Sequence, residues 1–170
     1  MKCQLGVWQF NYEGRDVRNK ELHPATFPIA LVKRCIELFT HRGELVIDPF
    51  VGSGTTLVAA SDIGRNAAGF DLHPKYVELS RNRFGQQTLF GNAHQLAIQD
   101  DARNIPSYLD AGTVSLIVTS PPYANLLNRP RKNKSRRGNE RKNSQYLKIE
   151  QYSNDQRDLG TLSLDAYAQE

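Results

Sequence analysis

Residues 44–71, ELVIDPFVGSGTTLVAASDIGRNAAGFD, constrain the fold more than any other stretch of the chain. A short apolar run closes on Asp48-Pro49, a glycine turn follows, an apolar stretch of helical length ends at Gly64, and a second apolar run closes on Asp71. This is strand, tight turn, helix, strand. The pattern repeats, because Pro74 suits the first turn of a helix through KYVELSRNRF that Gly85 terminates. Upstream, Val32, Cys35, Ile36 and Phe39 recur at helical spacing behind Pro28, in a segment ended by Gly43. Downstream, Gln87 to Phe90 is the expected third strand, Ile105 to Leu109 a weak helical turn, and VSLIVTS (114–120) a fourth strand before Pro121-Pro122. Short strands apolar on both faces, alternating with helices, predict an α/β protein with a parallel sheet and helices on both faces. Ligands of such sheets sit at the carboxyl ends of the strands. DPFVGSGTT, FDLHP and TSPPY each begin at a predicted strand end, so the three should converge on one cleft.

With 170 residues, 39% of them apolar and 24% charged, one domain is expected. No stretch approaches the ~18 apolar residues that span a bilayer, and MKCQLGVWQF lacks an apolar run of signal-peptide length. A soluble, cytoplasmic protein without membrane association is the expectation. Cys3 and Cys35 lack a CxxC partner or a His cluster, which indicates neither a disulfide framework nor a metal site. The net charge of +4 is unevenly spread. Residues 129–142, RPRKNKSRRGNERK, hold eight basic groups against one Glu, while the remaining 156 residues balance at −3. That strip is either a solvated loop or a surface for a polyanion.

Gly52 and Gly54 let the backbone turn sharply towards a ligand, and the helix starting near Thr55 and Thr56 offers free N–H groups to an anion. A glycine turn alone is weak evidence. No GK[ST] follows, and the GxGxxG dinucleotide pattern would need glycine where Leu57 stands. Asp71, at the end of the next strand, is positioned to accept from both hydroxyls of a ribose, although such an Asp alone is more often a turn former. TSPPY is the more specific signal. Ser120 Oγ and the Pro121 carbonyl can both accept from one amino group, and the Tyr123 ring can stack on a planar base.

Together, DPFVGSGTT, FDLHP and TSPPY resemble the S-adenosylmethionine-dependent amino methyltransferases of DNA, which methylate N4 of cytosine or N6 of adenine. The resemblance covers about residues 20–125, with HPATFPIALVKRCIELFT (23–40) similar to that group's cofactor-flanking helix. It implies a Rossmann-like methyltransferase fold, a DNA partner and a place in restriction-modification. By the same resemblance Phe50, Gly52 and Gly54 form the cofactor turn, and Asp71 holds the ribose. Asp101 accepts from the adenine amino group, and Asp48, Thr55 and Thr56 lie along the methionine part. Ser120, Pro121, Pro122 and Tyr123 hold the target base; Ser as first motif residue leans towards N4-cytosine, where Asp is commoner among N6-adenine enzymes. One departure is Phe27-Pro28, where many relatives carry Lys-Pro.

An aromatic amine has its lone pair delocalised into the ring. Two acceptors off the ring plane, Ser120 Oγ and the Pro121 carbonyl, favour the pyramidal nitrogen of the transition state, and alignment supplies the rest. Methylation at cytosine C5 would need a thiolate nucleophile, usually in a Pro-Cys context that this chain lacks. A base within a duplex must be flipped to be reached. Arg129, Arg131, Lys132, Lys134, Arg136, Arg137, Arg141 and Lys142 follow soon after Tyr123 and suit phosphate contacts.

The expected organisation is an N-terminal extension (1–22), a cofactor-binding and catalytic core (23–123), and a basic loop leading into a further helix (124–170). Ser163 reads as the cap of that helix, which stops on Gln169-Glu170. The resemblance implies further strands and a target-recognition region beyond this point. The expectation is therefore a fold incomplete at its C-terminus, with VSLIVTS on an exposed sheet edge that a second chain completes or covers. Two alternatives stand beside DNA methylation: methylation of RNA or of a protein amide at a similar Pro-Pro-Tyr site, and a non-catalytic cofactor- and nucleic-acid-binding fragment.

Overall fold

The computed structural model describes residues 8–12, 14–17, 26–85, 93–123 and 155–169. The chain divides after Ser120 into two units, residues 1–120 and 121–170.

The first unit carries strands β1 (Leu45–Asp48), β2 (Asn66–Asp71), β3 (Gln95–Gln99) and β4 (Val114–Ile117). Its helices are α1 (Gly14–Val17), α2 (Ile29–Phe39), α3 (Thr55–Asp62) and α4 (Pro74–Gly85). All strand pairs are parallel, in the order β3-β2-β1-β4. The chain therefore moves outward from β1 to β3 and returns to the other side of β1, so the order reverses between β1 and β4. In open parallel sheets that reversal opens the crevice ligands use. This is the parallel α/β architecture that the alternating pattern predicts, and the Rossmann-like fold that the resemblance implies.

Each element follows from its residues. On α2, Ile29, Val32 and Ile36 fall on one face and are buried. Pro28 lies just before the helix as its N-cap and makes no side-chain cap. Asp16, from α1, supplies one by accepting from the Ile29 N–H at 3.0 Å. On α3, the small and apolar run Leu57 to Ala60 is wholly buried. These residues pack with Val46, Val51, Ala67, Val77 and Ala97 into one core, each large side chain contributing about 1.5–3 kcal/mol on full burial. Ile47, Ala68 and Phe70 form a second cluster, flanked by Ile105 from the 3-10 helix after β3 and by Leu109 just beyond it. Alternation of side chains along β1 and β2 explains the two clusters.

The strand expected at Gln87 to Phe90 lies outside the described residues; the third described strand is QLAIQ. Strand pairing, not apolar content, selects QLAIQ: Ala97 is fully buried, Ile98 borders the second cluster, and Leu96 is exposed. On and just after β4 both faces carry apolar residues, Val114 beside the second cluster and Leu116 and Val118 beside the first, while Ser115 and Ile117 are exposed. Leu45 pairs with Val114 and Val46 with Leu116, so Ser115 is an extra residue in the β1–β4 ladder.

In the second unit, Asp158 caps the 3-10 helix Leu159–Thr161 by accepting from Gly160 N–H at 2.7 Å. The Ser163 hydroxyl accepts from Ala166 N–H at 3.2 Å at the start of α5 (Leu164–Tyr167), the cap expected there. No described helix is long and apolar enough to cross a membrane.

Candidate functional site

Because all four strands are parallel, Asp48, Asp71, Asp100 and Thr119 lie at or just beyond one edge of the sheet. Asp48 ends β1 and is almost fully buried. Its carboxylate accepts from Thr56 Oγ1 at 2.6 Å, from Thr119 Oγ1 at 2.8 Å and from Phe50 N–H at 3.1 Å. Burial pushes its pKa above the usual carboxylate value, and those three donors pull the other way. One acid thus joins the strand end, the first turn of α3 and the end of the β4 segment.

The turn between β1 and α3 is built by glycine where glycine is needed. Gly52 has φ 48° and Gly54 φ 81°, both left-handed. Val51 N–H donates to the Phe70 carbonyl at 2.8 Å, and Gly54 N–H to the Val51 carbonyl at 2.8 Å. The Val51 side chain occupies the space that a Cβ at Gly69 would need. Gly52 N–H then donates to Asp71 Oδ2 at 3.0 Å, while Asp71 Oδ1 accepts from His73 N–H at 2.8 Å. These two bonds orient the carboxylate at the end of β2. The predicted meeting of the glycine turn with the acid of the next strand is therefore a direct contact. Thr55, Thr56 and Gly54 are buried, and Phe50 is half-buried. The first N–H groups of α3 have no intrahelical partner.

Gln99, the last residue of β3, pairs with Asp71, and Asp101 follows two residues later. Asp101 caps the 3-10 helix Ala102–Ser107 by accepting from Arg103 N–H at 3.0 Å. The Arg103 guanidinium also binds both its carboxylate oxygens, at 3.0 and 2.8 Å. Asp100 accepts from Asp101 N–H, Asn104 Nδ2 and Tyr108 Oη at 2.7, 2.9 and 2.7 Å. The bond to Asp100 raises the pKa of the exposed Tyr108 phenol. The Tyr108 ring in turn meets Phe70 edge to face, with centroids 5.5 Å apart.

Of the predicted base-holding residues, Ser120 closes the first unit and is half-buried. Pro121 and Pro122 are half-buried and Tyr123 is exposed, all three in the second unit. Arg129, Arg131, Lys132, Lys134, Arg136, Arg137, Arg141 and Lys142 lie outside the described residues. Among the described residues, no group of three or more His, Cys, Asp or Glu side chains is placed to hold a metal ion.

Sequence reasoning passed over two residues. Thr119 stands inside TSPPY but reads as an ordinary strand-end residue until its hydroxyl is found on Asp48. Arg83, in the last turn of α4, reads as a cation complementing the helix dipole. Its guanidinium instead reaches across to the glycine turn, 28 and 30 residues away in sequence.

Residues 3–82 match the protein family described as DNA methylase. The type II methyltransferase M.BglI of Bacillus subtilis is 44% identical over 75 residues, covering 44% of this chain and 20% of the relative. The type II methyltransferase M.HpaI of Haemophilus parainfluenzae is 33% identical over 81 residues, covering 48% and 26%. Among solved structures, a Thermus thermophilus protein described as a DNA modification methylase, complexed with S-adenosyl-L-methionine, is 38% identical. It aligns over 42% of this chain and 29% of its own, with a TM-score of 0.38. The chain thus spans a fifth to a quarter of the length of these two curated relatives. Over residues 3–82, which contain β1, the glycine turn, β2 and most of α4, the chain is similar to the family described as DNA methylase.

Proposed function

We propose that the chain binds S-adenosylmethionine at the carboxyl ends of β1 and β2. We also propose that the protein methylates the exocyclic amino group of a DNA base, N4 of cytosine in preference to N6 of adenine. The observation that carries the reading is the hydrogen bond from Gly52 N–H to Asp71, with Asp48 anchoring the same turn on its other side. Two carboxylates flanking the turn suit a ligand with positive charge and a ribose over a polyphosphate, which they would repel. The residues present therefore fit this cofactor.

In this reading Asp71 accepts from the ribose hydroxyls, and Phe50, Gly52 and Gly54 give the turn its shape. Asp48, Thr55 and Thr56 line the methionine part, and Asp101 accepts from the adenine amino group. When bound, S-adenosylmethionine supplies an electrophilic methyl group on sulfur. The chain's own task is to prepare the nitrogen. Ser120 Oγ and the Pro121 carbonyl accept from the amino group off the plane of the ring, which favours a pyramidal nitrogen, while Pro122 and Tyr123 hold the base. Ser at the head of the motif supports cytosine. The basic residues from Arg129 to Lys142 neutralise DNA phosphates without reading sequence.

The test is transfer of labelled methyl from the cofactor to genomic DNA, followed by nucleoside analysis. Label in N4-methylcytosine is expected. Label in N6-methyladenine would overturn the base preference alone. Label in 5-methylcytosine, or transfer to RNA or protein and not to DNA, would overturn the proposal.

A further inference from the structure

The reading above leaves α4 without a role, yet its inner face meets the glycine turn through Arg83 and Ser80. Arg83 Nη1 donates to the Ser53 carbonyl at 2.6 Å, to Ser53 Oγ at 3.0 Å and to Thr55 Oγ1 at 3.3 Å. One turn earlier on the same face, Ser80 is fully buried against Gly54. A Cβ at Gly54 would overlap the Ser80 hydroxyl and stand 3.0 Å from the Ser80 Cα. That hydroxyl has no hydrogen-bond partner, so Ser80 serves there by its small size.

Three facts make this grip more than incidental packing. Gly54, the N-cap of α3, has no side chain with which to cap the helix, and α3 lacks a side-chain cap bond. A cation beside a helix N-terminus opposes the helix dipole, so Arg83 is held there by its specific bonds and not by the general field. Its acceptors in the turn belong to Ser53 and Thr55, on either side of Gly54, so the guanidinium bridges the residue whose backbone is freest to relax.

We infer that Arg83 is a positioning residue for the cofactor turn: it clamps Ser53–Thr55 from beneath, and the affinity for the nucleoside cofactor depends on that clamp. This rests on the proposed binding of S-adenosylmethionine at the turn. Arg83 acts through the shape of the turn, so its loss weakens binding and leaves the methyl-transfer step unchanged.

The test uses the full chain and S-adenosylhomocysteine as the probe, with binding measured by calorimetry and folding by circular dichroism. Arg83→Met keeps the apolar stem and removes the donors; its Kd should rise about tenfold, the equivalent of one lost hydrogen bond to a charged group. Arg83→Lys keeps a point donor without the fork and should recover part of the loss, to within about two- to fivefold of wild type. With S-adenosylmethionine and DNA, KM for the cofactor should rise by the same factor while kcat stays constant. A folded Arg83→Met chain that binds as tightly as wild type, or a folded Arg83→Lys chain that binds no better than Arg83→Met, overturns the inference. Should Arg83→Met not fold, Arg83→Lys binding equal to wild type overturns it. Failure of the wild-type chain to bind the probe refutes the cofactor reading itself, and the inference with it.

Discussion

Gly54→Ala is the substitution whose cost can be worked most directly from the structure. Gly54 holds φ at 81°, a left-handed conformation that costs an alanine about 1–2 kcal/mol. The new methyl would also overlap the Ser80 hydroxyl and press on the Ser80 Cα and Cβ, each 3.0 Å away. Ser80 sits on α4, so relief requires a shift of helix backbone and not a rotamer change. Overpacking of that kind costs about 1–3 kcal/mol. Together the two effects predict a loss of about 3 kcal/mol. In urea, with a slope of about 2 kcal/mol per molar for a chain of this size, the midpoint should fall by about 1.5 M with the slope unchanged. Combining Gly54→Ala with Ser80→Ala removes the nearest colliding atom and should restore about 1 kcal/mol, the remainder being the backbone term and the close contacts with Cα and Cβ of residue 80. A Gly54→Ala chain within about 0.5 kcal/mol of wild type would refute both the strain and the contact. A double variant no better than the single would refute the collision with the Ser80 hydroxyl alone.

Asp48→Asn tests the buried acid. Its folded pKa is raised by burial, so its contribution to stability is fully present below 3.8 and is lost as pH rises through the folded value. The stability of wild type relative to Asp48→Asn, from urea midpoints, should therefore decline with rising pH, and a difference independent of pH would contradict the assignment. In the second unit, Arg157 binds the Asp155 carboxylate and holds its pKa at about 2. In an NMR titration Arg157→Ala should return Asp155 towards 3.8, and an unchanged midpoint would show the pair to be inert. Replacing Arg129, Arg131, Lys132 and Lys134 by Gln should flatten the salt dependence of DNA binding by up to about 3 to 4 in log–log slope. An unchanged slope would remove those residues from the phosphate contacts.

Much of this was legible because local chemistry and global position agree at the glycine turn. Asp48-Pro49, Gly52, Gly54 and Asp71 announce strand ends and a left-handed bend within one short stretch, and two hydrogen bonds join them as the pattern requires. The helix bounds at Pro74 and Gly85 were equally plain, since proline and glycine act within a single turn. What stayed hidden depends on partners distant in sequence. Asp16 caps α2 from 13 residues away, and no N-cap signature exists at that range. Thr119 reaches Asp48 across 71 residues, through a β1–β4 pairing that periodicity does not encode. Arg83 carries the composition of a solvated last turn, and its true partners exist only once α4 has packed on α3. QLAIQ has too few apolar residues to stand out, although burial of Ala97 beneath α4 fixes it as the third described strand.

The central claim is that the turn between β1 and α3, with Asp71 beside it, holds the nucleoside cofactor. A crystal structure of the chain with S-adenosylhomocysteine tests it most directly. The ribose hydroxyls are predicted within hydrogen-bonding distance of the Asp71 carboxylate, with the methionine portion along Phe50 to Thr56. A nucleoside seated away from the carboxyl ends of β1 and β2 would contradict the account.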